Sequence, residues 1–275
     1  MKKHGTTILL CIVLLVGVSL MLYPNFANWW NSMHQSRAVA SYVEQVTNIG
    51  EEKYTELWDA ARDYNRELPD RENHFALSPE QEDVYESLLD VGGTGIMGYV
   101  EVPAINVTLP IYHGTDEAVL QIAVGHLEWS SLPVGGENTH SVISGHRGLP
   151  SARLFTDLDK LVVGDIFIYR VLDEILTYEV DQIIIVEPHQ VEQLSIVQGQ
   201  DLSTLITCTP YGINSHRLLV RGHRIDNLEE TKTVRVTADA VQIEPMLIAP
   251  FLATPILLVL FILLMIPKKK REQEE

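Results

Sequence analysis

The sequence predicts a mainly β fold, a closed or nearly closed barrel set on an N-terminal helical stalk, with a membrane-crossing helix at each end of the chain. Three observations predict it. Between Ile96 and Ile225, seven short apolar runs are divided by Pro and Gly, the pattern of an all-β barrel or sandwich. Upstream, apolar residues recur at three-and-four spacing, the mark of amphipathic helices. Two long uncharged stretches lie near the ends of the 275-residue chain.

The first of these, Thr6 to Tyr23, carries no charge over 18 residues, about the minimum that crosses a hydrocarbon core as a helix. A cleaved signal peptide is the alternative, but the run exceeds an ordinary signal core and no small-x-small cleavage site follows it. The second, Met246 to Ile266, is followed at once by Lys268, Lys269, Lys270 and Arg271, while Lys2 and Lys3 precede the first. The positive-inside rule then puts both termini in the cytoplasm and the chain from about Pro24 to Pro245 on the far side.

After the first anchor, Val39, Tyr42, Val43, Val46 and Ile49, then Leu57, Trp58, Ala61 and Tyr64 predict a helical stalk or hairpin over residues 31 to 67. Pro69 and Pro79 bracket a polar loop in which Phe75 and Leu77 stand as isolated apolar residues. Val84 to Leu89 predict a further helical turn or two before Gly92 and Gly93. The runs IMGYVEV, INVTLPIY, SVISG, DIFIYRVL, ILTYEVDQIIIVEP, LSTLITC and HRLLVRGHRI predict strands, with Asp173-Glu174 as a tight turn between the fourth and fifth. Two helical pieces are expected between strands, one from Thr115-Asp116 through EAVLQIAV and one from Ser151 to Leu161.

The boundaries that follow are a cytoplasmic N-terminus (1–5), a membrane helix (6–23), a helical stalk and loop (24–90), a barrel (91–228), a linker (229–245), a second membrane helix (246–266) and a basic cytoplasmic tail (267–275).

Formal net charge is −17; setting aside Lys2, Lys3 and the net +1 of the tail leaves −20 on the segment between the two anchors. Such acidity argues against nucleic acid or anionic lipid as a partner and favours a basic peptide. Of two cysteines, Cys11 sits inside the first membrane stretch, so Cys208 is alone outside. A lone thiol in an oxidising compartment has no disulfide to join. Either it is a buried, inert hydrophobe or it does chemistry.

Cys208 closes the run LSTLITC and precedes Thr209-Pro210-Tyr211-Gly212. A strand end beside a Pro/Gly loop holds a side chain in place and leaves room for substrate. A thiol nucleophile acts as thiolate and needs a base, most often histidine. Nine histidines lie outside; His126 and His146, each after a Gly at the end of an apolar run (VGH, SGH), are the candidates, and spacing does not separate them. An oxyanion donor is also needed. Arg217, nine residues beyond Cys208 at the start of HRLLVRG, fills that place if the two strands pair, with Arg221 as the alternative. No H-x-x-x-H, C-x-x-C, G-x-S-x-G or nucleotide-binding glycine fingerprint is present, so a zinc site, a serine nucleophile turn and a nucleotide cofactor are not indicated.

TLITCTPYGINSHRLLVRG around Cys208 and SGHRGLPSARLFTDLDKL around His146 resemble the signature segments of class C sortases, the pilus-assembling transpeptidases of Gram-positive bacteria. The resemblance spans roughly residues 95 to 225, and the two anchors and helical extension are similar as well. It implies a sortase-type closed β-barrel of about eight strands. It also implies Cys208 as nucleophile, His146 as acid/base and Arg217 as oxyanion donor, which leaves His126 without a catalytic role.

The reaction implied is cleavage of an LPXTG-like sorting signal between Thr and Gly, then transfer of the acyl group to a pilin lysine amine, without metal or organic cofactor. The partners implied are LPXTG-bearing pilins or surface proteins and an amine acceptor, at the membrane. Three alternatives stand beside it: attachment of proteins to a peptidoglycan amine, hydrolysis as a plain cysteine protease, and a membrane-held peptide-binding barrel without catalysis. Class C sortases often carry an Asp-Pro-aromatic lid over the cysteine, and no such tripeptide occurs here. The corresponding stretch LPDRENHFALSP holds Asp70 and Phe75, and is expected either to cover the site or to link stalk and barrel.

Overall fold

A computed structural model describes residues 5–70 and 77–227. The chain divides into two compact units, one of residues 1–26 and 239–275 and one of residues 27–238. In the first, the described residues, Gly5–Phe26, are helical. They belong to α1 (Gly5–Asn48), which is long and apolar enough to cross a membrane. The expected second span, Met246–Ile266, lies outside the described residues, as does Phe75 of the expected lid.

In the second unit α1 continues to Asn48, and α2 (Glu51–Glu67) follows after a two-residue break at Ile49-Gly50. The spacing of Leu57, Ala61 and Tyr64 puts one buried stripe on α2. That stripe joins barrel residues such as Val100, Leu132 and Phe155 in a single hydrophobic core. Tyr42 fixes α1 to the barrel: its hydroxyl donates to the Met97 carbonyl (3.1 Å) and accepts from the Leu172 amide (2.7 Å). Asn65, buried on α2, closes two bonds with one peptide neighbour, accepting from Leu132 N (2.7 Å) and donating to Leu132 O (3.0 Å).

The expected short helix over Val84–Leu89 is longer and starts earlier, as α3 (Pro79–Ser87). Its start is a capping box: Ser78 Oγ accepts from Gln81 N, and Gln81 Oε1 accepts from Ser78 N, with Pro79 at the first helical position. The cap is carried by four adjacent residues, S-P-E-Q, inside the stretch whose prolines and polar residues predict a loop.

The barrel is closed and has eight strands, in agreement with expectation. They are β1 (Ile96–Val102), β2 (Val107–His113), β3 (Val124–His126), β4 (Thr139–Ser144), β5 (Ile166–Val171), β6 (Glu174–Val186), β7 (Asp201–Thr209) and β8 (His216–Ile225). Their order around the barrel is β1-β2-β3-β4-β7-β8-β6-β5, with β5 returning to β1. Only β2–β3 and β4–β7 pair in parallel.

Three local expectations are corrected. The helix expected from Thr115-Asp116 is a single turn, α4 (Glu117–Leu120), because Val124–His126 instead completes the sheet beside β2. The segment 151–161 holds only a 3-10 turn at Leu158–Lys160. The β5–β6 turn is Leu172-Asp173, one residue earlier than expected, with Glu174 already paired to Val171. Leu172 takes φ 53° there; the Tyr42 hydroxyl on its amide, and its burial, hold a conformation that a leucine seldom adopts.

Candidate active site

Side chains alternate between the two faces of a strand, and the packing clusters show which face is which. Ile143, Leu205, Leu218 and Val220 point into the main core. Val142, Ile206 and Leu219 form a second apolar cluster on the outer face, with Leu194 from the β6–β7 connection over it. By parity Cys208 shares the outer face with Ile206, and Arg217 shares it with Leu219.

Cys208 and Arg217 are cross-strand partners in the β7–β8 register. Directly opposed residues of an antiparallel pair stand about 5 Å apart at Cβ, so the two side chains leave the sheet side by side. Arg217 bonds only backbone carbonyls, those of Asn214 (3.4 Å) and His216 (3.2 Å), and has no carboxylate partner among the described residues. Arg221, four residues on, opposes Thr204 and is held by a bidentate pair with Asp181 (2.9 and 3.1 Å). The geometry thus separates the two arginines: the one beside Cys208 is uncommitted, and the other is occupied.

His146 arrives from the opposite flank. The β4–β7 pairing runs in parallel to Ser144↔Ile206 and is extended by Gly145 N donating to Ile206 O (3.0 Å) and Thr207 Oγ1 donating to Gly145 O (2.8 Å). One further step puts His146 beside Cys208. Its carbonyl accepts from Phe155 N (3.2 Å), which closes the loop after β4. Gly145 is required beneath it, since a Cβ there would lie 2.7 Å from the Phe155 ring and 2.8 Å from Val124. His146 and Cys208 are both half-buried, and no hydrogen bond engages the His146 ring among the described residues. Cys208, His146 and Arg217 therefore occupy the same ends of three adjacent strands.

His126 lies elsewhere in chemical terms. It is fully buried; its Nε2 donates to Ser131 O (2.8 Å) and its Nδ1 accepts from the Tyr85 hydroxyl (2.9 Å). Burial holds its pKa down at about 3, so it is a neutral fastener between α3 and the barrel. A cavity of about 590 Å³ lined by Arg62, Trp129, His140 and Ser195 lies at the Thr139–Asp201 ends of β4 and β7, away from Cys208.

The sortase domain family model matches residues 100–225, from β1 through the last residue of β8. Crystal structures of sortase C1 from Streptococcus agalactiae (50% identical, 70% of this chain, 100% of that one, TM-score 0.68) and of sortase C from Streptococcus pneumoniae (46% identical, 70% and 97%, TM-score 0.63) share the fold. The chain belongs to the sortase family, class C. Sortase D of Bacillus subtilis (strain 168) is 31% identical over 131 residues, which are 46% of this chain; the chain spans 63% of that relative's length. In this sortase the relatives' likeness extends beyond the family-model match, and the expected sortase barrel is borne out. One residue of the site region went unnoticed as chemistry although it follows His146 directly: Arg147, whose side chain is nine-tenths buried.

Proposed function

We propose that this sortase is a cysteine transpeptidase that cleaves an LPXTG-like sorting signal between Thr and Gly and joins the new acyl end to a pilin lysine. The observation that carries the reading is the convergence of Cys208, Arg217 and His146 at one end of β7, β8 and β4. Two relatives support the substrate class. The S. pneumoniae sortase C structure is described as informing catalysis and pilin substrate specificity, and Clostridium perfringens sortase C has been solved with a C-terminal cell wall sorting motif.

In this mechanism the Cys208 thiolate attacks the Thr carbonyl carbon, and the negative charge that builds on oxygen is met by the Arg217 guanidinium. The C–N bond breaks as His146 gives its proton to the leaving glycine amine, leaving a thioester on Cys208. A lysine amine then attacks the thioester, His146 takes a proton back, and the thiolate leaves from the new isopeptide bond. Two membrane crossings with both termini in the cytoplasm complete the proposal, with Lys268 to Arg271 as the inner anchor of the second.

The test is incubation of the detergent-solubilised full chain with a pilin bearing the signal. An SDS-resistant ladder that disappears in Cys208→Ala supports polymerisation. Monomer linked only to wall peptide assigns the anchoring reaction instead, and signal hydrolysis insensitive to added amine assigns a protease. A C-terminal reporter active only outside the cell would overturn the two-crossing topology.

A further inference from the structure

We propose that Arg147 is a positioning residue for this site, a buried brace that sets the placement of His146 relative to Cys208. The inference rests on the roles proposed above for those two residues. Three contacts carry it. Arg147 Nη1 donates to Thr209 Oγ1 (3.3 Å), on the residue that follows Cys208, and Nη2 pairs with Asp159 at the far end of the loop that begins with His146. The guanidinium carbon lies 5.9 Å from the Tyr211 ring centroid. That ring also covers Gly148, where a Cβ would come within 2.9 Å of it at a φ of +78°.

One side chain thus ties the histidine's segment to the cysteine's strand end, to the loop beyond it and to its own loop's return. Thr209 is buried, so the acceptor is fixed by the barrel and not by solvent. A guanidinium is suited to this because its planar fork donates in two directions at once, which an ammonium on a flexible stem does not do. Arg147 Nε is buried with no acceptor among the described residues.

Thioester formation needs sulfur, imidazole and substrate carbonyl aligned closely, and a misplacement of about 1 Å costs about a hundredfold in rate. The experiment measures cleavage of a fluorogenic LPXTG peptide by the full chain in detergent, with rates expressed per titratable Cys208 thiol. Arg147→Lys keeps the pair with Asp159, and Thr209→Val removes the other acceptor without altering the arginine. Both are expected to lower kcat about tenfold, and Arg147→Met about a hundredfold, with KM within about threefold of the parent. A substrate-independent readout accompanies them: the pH profile of Cys208 alkylation changes in Arg147→Lys and Thr209→Val. Unchanged kcat per thiol in both conservative variants, or a rise in KM alone, overturns the proposal. If the parent does not cleave the peptide, the function proposed above fails by itself, and the alkylation profile decides this inference: an unchanged profile overturns it.

Discussion

At Arg217 the strand register does what a motif cannot: it states which arginine faces the thiol and which is tied to a carboxylate. Arg217→Ala is expected to reduce kcat by about 10²- to 10³-fold, as loss of an oxyanion donor does, with little change in thermal midpoint because no ion pair is broken. Arg221→Ala is expected to do the reverse, lowering stability through loss of the bidentate pair with Asp181 while sparing most of the rate. Steady-state kinetics and thermal unfolding on the same two proteins check both. His126 gives a pH prediction. Its folded pKa is depressed to about 3 from an ordinary 6.5, so the folded state resists protonation that the unfolded chain accepts. The stability it contributes is present above pH 6.5 and is lost as pH falls from there toward 3. By pH 5 the loss is about 2 kcal/mol. Urea midpoints between pH 7.5 and 5 measure it, and His126→Gln is expected to flatten that slope.

The helices around the barrel carry a second level of consequence. Ser78→Ala removes half of the α3 capping box and is expected to cost about 1 kcal/mol, read as a lower urea midpoint with unchanged slope. Asn65→Leu leaves the buried Leu132 N–H unmet, while the Leu132 carbonyl keeps its bond from Val134 N; a loss of about 1 to 3 kcal/mol follows. The two cases differ in legibility. The cap was written in four adjacent residues, whereas Asn65 looked like one more polar position on α2, because its partner lies 67 residues away.

The same contrast runs through the sheet. Seven strands showed as apolar runs, and Cys208 stood visibly at the end of one. β3 did not show, because three residues are too few for a period and an N-cap pair stood just before them. The Cys208–Arg217 pairing was conditional on the strands lying side by side, and His146 was separated from His126 only by family likeness. Burial separates them in the structure: one imidazole has both nitrogens engaged inside the molecule, and the other ring has none engaged among the described residues.

For the whole second unit, the shared core matters most. Leu57, Ala61, Tyr64, Leu68, Tyr85, Leu88 and Leu89 from the helical segment are packed in one cluster with the barrel residues. Removing residues 27–90 would uncover that apolar surface, so the isolated span 91–228 is expected to be soluble only with detergent or to aggregate. Unit 27–238 is expected to unfold in one cooperative transition by circular dichroism and by tryptophan fluorescence alike. Non-coincident transitions would show that helices and barrel come apart separately.

Closure of the barrel has a further effect on how a peptide can be recognised. β7 lies between β4 and β8, and β8 between β7 and β6. Many peptide-binding sheets take an extended ligand as an extra strand, and main-chain bonding then tolerates almost any sequence. Among the described residues β7 and β8 offer no free edge for that. On the function proposed above, a peptide laid across the outer face beside Cys208 is then gripped through its side chains and its reacting carbonyl, which would confine acceptance to a short, particular run of residues and let the rest of a large protein pass unread.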